Sequence, residues 1–107
     1  MAQGPLLFTS GQLPLDPVTG ELRHSDIETA ARQVLSNLRA VLVAGGADMS
    51  TVLKTTVFLS DMGSVEAFNS VYAESFKDPF PARSCIQVAA LPRGALVEIE
   101  AVAARKK

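Results

Sequence analysis

A two-layer α+β sandwich in a single domain, residues 1–107, is the fold class that the sequence predicts, and three observations carry it. Two segments place apolar residues at three- and four-residue steps, as helices with one buried face do. Other segments are β-branched or alternate with period two, and Gly/Pro-rich breaks separate them in the order strand, helix, strand, helix, strand, strand. A chain of 107 residues has room for one core, and two helices are enough to cover one face of one sheet.

Residues 5–12 open with the apolar run Leu6-Leu7-Phe8 and pass through Thr9-Ser10-Gly11 before Pro14 and Asp16-Pro17-Val18-Thr19-Gly20 supply turn chemistry. This reads as a strand and a loop. From Ile27, the residues Ile27, Ala31, Val34, Leu35, Leu38, Val41 and Leu42 fall on one helical face. Ser25 and Glu28 have capping-box spacing at its start, and Gly45-Gly46 ends it. Residues 52–60 read as a strand, with Thr55, Val57 and Leu59 on one face and Lys54, Thr56 and Phe58 on the other. Val65, Phe68, Tyr72 and Phe76 mark a second helix that must stop near Asp78, because Pro79 and Pro81 cannot continue it. Tyr72 and Phe76 read as core. Residues 84–90 and 96–104 complete the chain as strands joined by Leu91-Pro92-Arg93-Gly94, a link short enough to predict an antiparallel hairpin.

Composition excludes several classes of function. The formal net charge is −1, and apart from Arg105, Lys106 and Lys107 the basic residues are scattered, so no phosphate-binding face and no nucleic-acid partner are expected. Cys85 is the only cysteine and His24 the only histidine; an intrachain disulfide and a Cys/His zinc site are thereby excluded, and no metal is expected. The first five residues lack the features of a secretory signal and no stretch is long enough to cross a bilayer, so a cytoplasmic protein with no membrane partner is expected. An apolar fraction of 48% exceeds what one small core absorbs and points to oligomerisation.

The last strand is the most informative. Val97, Ile99, Ala101 and Ala103 share the side suited to the helices, which leaves Glu98 and Glu100 with Leu96 and Val102 on the other. Such a mixed face suits a subunit interface with polar pockets at its seams. Arg83, Cys85 and Gln87 share a parity, and in the expected hairpin their face meets that of the glutamates. An arginine there offers a planar fork matched to a carboxylate, and a glutamate positions or deprotonates water. From the pattern alone, a structural ion pair on a sheet remains the default reading.

Five segments taken together go further: Thr9-Ser10-Gly11-Gln12, Asp16-Pro17 with Gly20, Val52-Leu53-Lys54-Thr55-Thr56-Val57, Phe80-Pro81-Ala82-Arg83-Ser84, and Val97-Glu98-Ile99-Glu100-Ala101-Val102-Ala103. In this order and spacing, over nearly the whole chain, the sequence resembles the RidA family, also called the YjgF family. The resemblance implies a chorismate mutase-like fold, with βαβαββ order here, and a homotrimer whose sheets form a central barrel with ligand clefts between neighbours. It also implies hydrolysis of 2-iminobutanoate and 2-iminopropanoate, with their enamine tautomers, to 2-oxo acids and ammonia, with no cofactor.

By the same resemblance, Arg83 and Glu98 are the catalytic pair, the first clamping the substrate carboxylate and the second holding the attacking water. Ser10, Gly11, Asn69 and the backbone N–H of Cys85 complete the substrate-binding set. Glu100 belongs to an interfacial network, and the Cys85 thiol, with no histidine partner, packs rather than reacts. On the same resemblance, the chain is expected to start at about the family's second strand, without the leading segment and its cleft tyrosine. Two other readings stay open: a non-catalytic trimer that binds 2-oxo or amino acids through Arg83, and, ranked last for want of basic charge and a histidine pair, a ribonuclease or translation inhibitor.

Overall fold

The computed structural model describes residues 1–106. Its centre is one five-stranded sheet: β1 (Ala2–Gln3), β2 (Leu6–Phe8), β3 (Val52–Leu59), β4 (Ala82–Gln87) and β5 (Val97–Ala104), in the spatial order β1-β2-β5-β3-β4. Two helices, α1 (Ile27–Ala44) and α2 (Val65–Ser75), supply the second layer. Strand β1 was not expected; at two residues it is too short to show a period, and it exists because Gly4, at φ +58, turns the chain back on β2.

The largest departure concerns the last two strands. β4 pairs parallel with β3, and β5 pairs antiparallel with the opposite edge of β3, so the expected β4–β5 hairpin does not form. α2 connects β3 to β4 as a crossover, the connection a parallel pair requires. Residues 88–96 then have enough length to step past the end of β3, where the Val88 amide donates to Leu59 O (3.0 Å) and the Ser60 amide to Leu96 O (3.1 Å). The Pro92–Gly94 turn shapes this passage, with Arg93 and Gly94 both at positive φ.

The predicted faces of β3 and β5 hold. Thr55, Val57, Leu59, Val97, Ile99, Ala101 and Ala103 are buried in one core, while Lys54, Thr56, Phe58, Glu98, Glu100 and Val102 lie half-buried on the side away from the helices. Val52 also faces the core, three residues before Thr55, because a bulge between Val52 and Lys54 resets the alternation. From the helices the core takes Ala30, Ala31, Val34, Leu35, Leu38 and Leu42, then Phe68, Val71, Tyr72 and Phe76. Each large side chain buried there, such as Phe68, contributes about 1.5–3 kcal/mol. Val41, expected on the core face, is exposed, and Ala30 takes the buried position instead; α1 is rotated slightly from the stripe its larger residues suggest.

The helix ends also differ in detail from expectation. Asp26, not Ser25, is the N-cap of α1, its carboxylate accepting from the Thr29 amide at 2.7 Å. The Gly45-Gly46 stop is as expected, with Gly46 at φ +89. At Gly45 the need for glycine is packing: a Cβ there would sit 2.5 Å from Leu7 Cδ2, in the core. Loop residues 13–22 are tied to α1 by Asn37, whose amide donates to Leu13 O and Leu15 O at 3.0 and 2.8 Å.

Two outcomes follow. Gly45→Ala, by overpacking Leu7, should destabilise the protein by about 1–3 kcal/mol in chemical denaturation. The cap makes an acid-side prediction: backbone hydrogen bonding from Thr29 holds the Asp26 carboxyl below its ordinary 3.8, so its stabilisation is present above the unfolded value and lost as pH falls through the lower folded one. Asp26→Ala should therefore lower Tm at pH 7, and the gap from wild type should narrow as the pH is taken below about 4.

Candidate active site

The candidate residues assemble as two clusters on opposite sides of the sheet. The first lies on β4, an edge strand. Arg83 is the neighbour of Thr55 and Cys85 of Val57, and paired residues project to the same side of a sheet, so both project toward the helix layer. α2 brings Asn69 and Tyr72 to meet Arg83, one helical turn apart and on one face. The Arg83 Nη1 donates to Asn69 Oδ1 at 2.7 Å, and the guanidinium carbon stands 4.9 Å from the centre of the Tyr72 ring. The Tyr72 hydroxyl is hydrogen-bonded at 2.7 Å to Oγ1 of the fully buried Thr55.

Burial pushes the Tyr72 phenol above its ordinary 10.0, only partly offset by the Thr55 hydrogen bond and the Arg83 charge, so the ring is a neutral platform at physiological pH. Arg83 itself is exposed; with one N–H on Asn69, the rest of its fork is open to a ligand. Cys85 is half-buried, its side chain against the core. Its amide, however, is not used within the sheet. Successive amides along a strand point to opposite edges, and the Val88 amide points at β3, so that of Cys85, three residues earlier, faces the open edge.

The second cluster lies on the uncovered face. Glu98 is beside Phe58 and Glu100 beside Thr56. Thr9 and Gln12 hold the loop against β5, with the Thr9 amide on Ala101 O (3.0 Å), the Ala101 amide on Thr9 Oγ1 (3.0 Å), and the Gln12 and Ile99 amides exchanged (2.7 and 3.1 Å). Ser10 and Gly11 form the exposed arch between these anchors. Gly11 lies directly against Glu98: a Cβ on it would fall 2.7 Å from Glu98 Cδ. Among the described residues neither Glu98 nor Glu100 has a cation within 4.0 Å.

Two expectations are corrected here. Arg83 and Glu98 do not share a face, because Arg83 is in register with the core-facing Thr55 and Glu98 with the outward-facing Phe58; and the ion pair of Arg83 with the glutamates is absent within the chain. Asn69 does join Arg83, and Ser10 and Gly11 do join Glu98. Sequence reasoning missed the role of Thr55 and Tyr72. The signal was available, since Thr55 is the one hydroxyl on an otherwise apolar face of β3 and Tyr72 follows Asn69 by three positions.

A groove of about 730 Å³ between α1 and α2, lined by Arg32, Leu35, Arg39, Val71 and Phe76 among others, contains none of these residues. Among the described residues no three His, Cys, Asp or Glu side chains cluster as metal ligands do, and no helix is long and apolar enough to cross a membrane.

The family model described as Endoribonuclease L-PSP matches residues 1–105. The chain belongs to this family. Among its relatives, the RutC family protein y4sK of Sinorhizobium fredii is 52% identical over 99 residues, 92% of this chain and 79% of that protein. The human 2-iminobutanoate/2-iminopropanoate deaminase is 44% identical over 97 residues, 91% of this chain and 71% of its own. Among solved structures, RidA from Psychrobacter superposes with a TM-score of 0.93 at 38% identity, covering 97% of this chain and 84% of that one. E. coli TdcF with bound serine superposes with a TM-score of 0.92 at 41% identity, covering 99% and 85%. The RidA resemblance read from the sequence and the L-PSP match thus describe one family.

Gly11 supplies the test of the second cluster. Gly11→Ala should leave the fold intact, since the arch is exposed, and rotate the Glu98 carboxylate off the loop in a crystal structure; an alanine accommodated beside an unmoved Glu98 would refute the contact.

Proposed function

We propose that the protein hydrolyses 2-imino acids, namely 2-iminobutanoate, 2-iminopropanoate and their enamine tautomers, to 2-oxo acids and ammonia. The reading assigns this work to a homotrimer whose sheets enclose a central barrel. The observation that carries it is the separation of the two clusters: an arginine edge and a glutamate face, each with its own ordered partners, and each incomplete alone. A copy of the chain laid against the uncovered sheet face brings the Arg83 edge of one protomer to the Glu98 face of the next. That face is suited to burial, with Phe8 and Ile86 exposed and Phe58 beside Ile86.

In such a cleft the guanidinium of Arg83 and the backbone N–H of Cys85 bind the substrate carboxylate, with Asn69 fixing the guanidinium from the side. Ser10 and Gly11 bound the floor beside Glu98. The carboxylate of Glu98 holds a water and accepts its proton as the oxygen bonds to the iminium carbon and the C=N pair moves to nitrogen. Glu98 passes that proton to the nitrogen, the C–N bond breaks, and ammonia leaves as the carbinol oxygen gives its own proton back to the Glu98 carboxylate and becomes the 2-oxo group. An iminium is already electrophilic, so orientation, water and proton handling are sufficient.

The human relative that carries this activity in its name supports the reading. RNA cleavage, which the family's name suggests, finds no support in the site, since His24, the one histidine, is exposed on a loop outside both clusters. A non-catalytic carboxylate-binding trimer is the second reading; the serine in the TdcF structure favours it, because serine carries the carboxylate and nitrogen but no hydrolysable C=N bond.

Coupled to a threonine dehydratase, the wild-type protein should accelerate release of 2-oxobutanoate, and Arg83→Ala should reduce that acceleration by a factor of ~100 or more. Wild-type protein that binds 2-oxobutanoate without accelerating its release would select the binding reading. A mixing experiment tests the shared cleft: Arg83→Ala and Glu98→Gln proteins, each inactive, refolded together in equal amounts should regain ~25% of wild-type activity, because only sites drawing Arg83 and Glu98 from different protomers are intact. No regain would mean that both side chains come from one chain.

A further inference from the structure

Tyr72 has more built around it than a core position requires. Its ring lies between those of Phe68 and Phe76, with centroids 5.6 and 4.6 Å away, and a phenylalanine would fill that space. Instead a hydroxyl is carried into the core, where it meets a second hydroxyl, that of Thr55, on a strand face otherwise formed by Val57 and Leu59. Burying two hydroxyls costs free energy unless they satisfy each other. Replacing both by apolar groups of the same shape would serve packing equally well.

The pair has a geometric product. Thr55 is the register neighbour of Arg83, so the hydrogen bond between the Tyr72 and Thr55 hydroxyls locks the ring at the position where its face meets the guanidinium, 4.9 Å away. Asn69 holds the same guanidinium laterally at 2.7 Å. An arginine on an edge strand otherwise has several free side-chain torsions, and their rotamer entropy is lost when it binds an anion. A ring beneath it and an amide beside it remove much of that freedom in advance.

We propose that Tyr72, tethered by Thr55, is a positioning residue that holds the Arg83 guanidinium ready for the substrate carboxylate. For its functional consequence the inference rests on the deaminase reading; for its structural content it does not. Two readouts keep them apart. The first is the side-chain NMR signature of Arg83: in the wild type its Nε–H proton should be shifted by the ring current of Tyr72 and its guanidinium rotation slowed. Tyr72→Leu should abolish both while the chain stays folded, and Tyr72→Phe should retain the shift in part. The second is affinity for 2-oxobutanoate, where Tyr72→Leu should weaken binding ~10-fold in the wild-type background and leave it unchanged in an Arg83→Ala background.

An Arg83 signal unaltered by Tyr72→Leu, or an equal loss of affinity with and without Arg83, would overturn the proposal. If Tyr72→Leu does not fold, Thr55→Val carries the test: freeing the ring should shrink the Arg83 shift, and an unchanged shift would count against the tether. Protein that shows the full NMR signature but hydrolyses no imine would retain the positioning role and lose the deaminase reading. Protein that hydrolyses imines without the signature would do the reverse.

Discussion

The structure depends on the register of β3 with its two neighbours. β3 is flanked by β5 on one side and β4 on the other, and alternation along a strand sends paired residues to a common face. Thr55 therefore carries Arg83 toward the helices, and Phe58 carries Glu98 away from them. A slip of one residue on either side would exchange these faces, burying a glutamate in the core or turning the arginine from Asn69. The apolar residues at alternate positions of β3 and β5 make that slip costly, so the same burial that stabilises the sheet fixes where the charged groups lie.

This arrangement sorts the polar groups by what surrounds them. On the arginine side, helix α2 provides an amide, an aromatic face and, through Thr55, a buried hydrogen bond, so the guanidinium is held while most of its donors stay free. At the edge of β4 the amide of Cys85 is likewise unspent. On the glutamate side, the loop through Ser10 and Gly11 is fastened to β5 by backbone bonds at Thr9 and Gln12, which lets a glycine lie against Glu98. Neither side alone presents both a carboxylate-binding group and an acid. What unites them in the proposed reaction is a second copy of the chain, and the half-exposed apolar residues around Glu98 give such a copy a reason to bind.

Much of this could be read in the residues. The helix stripes, the strand faces of β3 and β5, the stop at Gly45-Gly46 and the turn at Asp16 to Gly20 are all local patterns, and burial follows them closely, with Val41 and the Ser25 cap as local exceptions. Five short segments in order, those around Arg83 and Glu98 among them, carried a family resemblance that the L-PSP match and the superposition on RidA bear out. The β4–β5 hairpin was not legible as wrong, because loop length permits a hairpin without requiring it, and the competing parallel pairing is decided by where α2 packs.

The sequence by itself determined which residues alternate, which face each helix buries, and which side chains carry chemistry, because those properties depend on residues a few positions apart. Tertiary structure alone decided that β4 lies beside β3, and that Arg83 faces Asn69 and Tyr72 on the side of the sheet opposite Glu98. Strand partners are chosen by summed packing between segments far apart along the chain, 28 residues in the case of Thr55 and Arg83, and no local period records that choice.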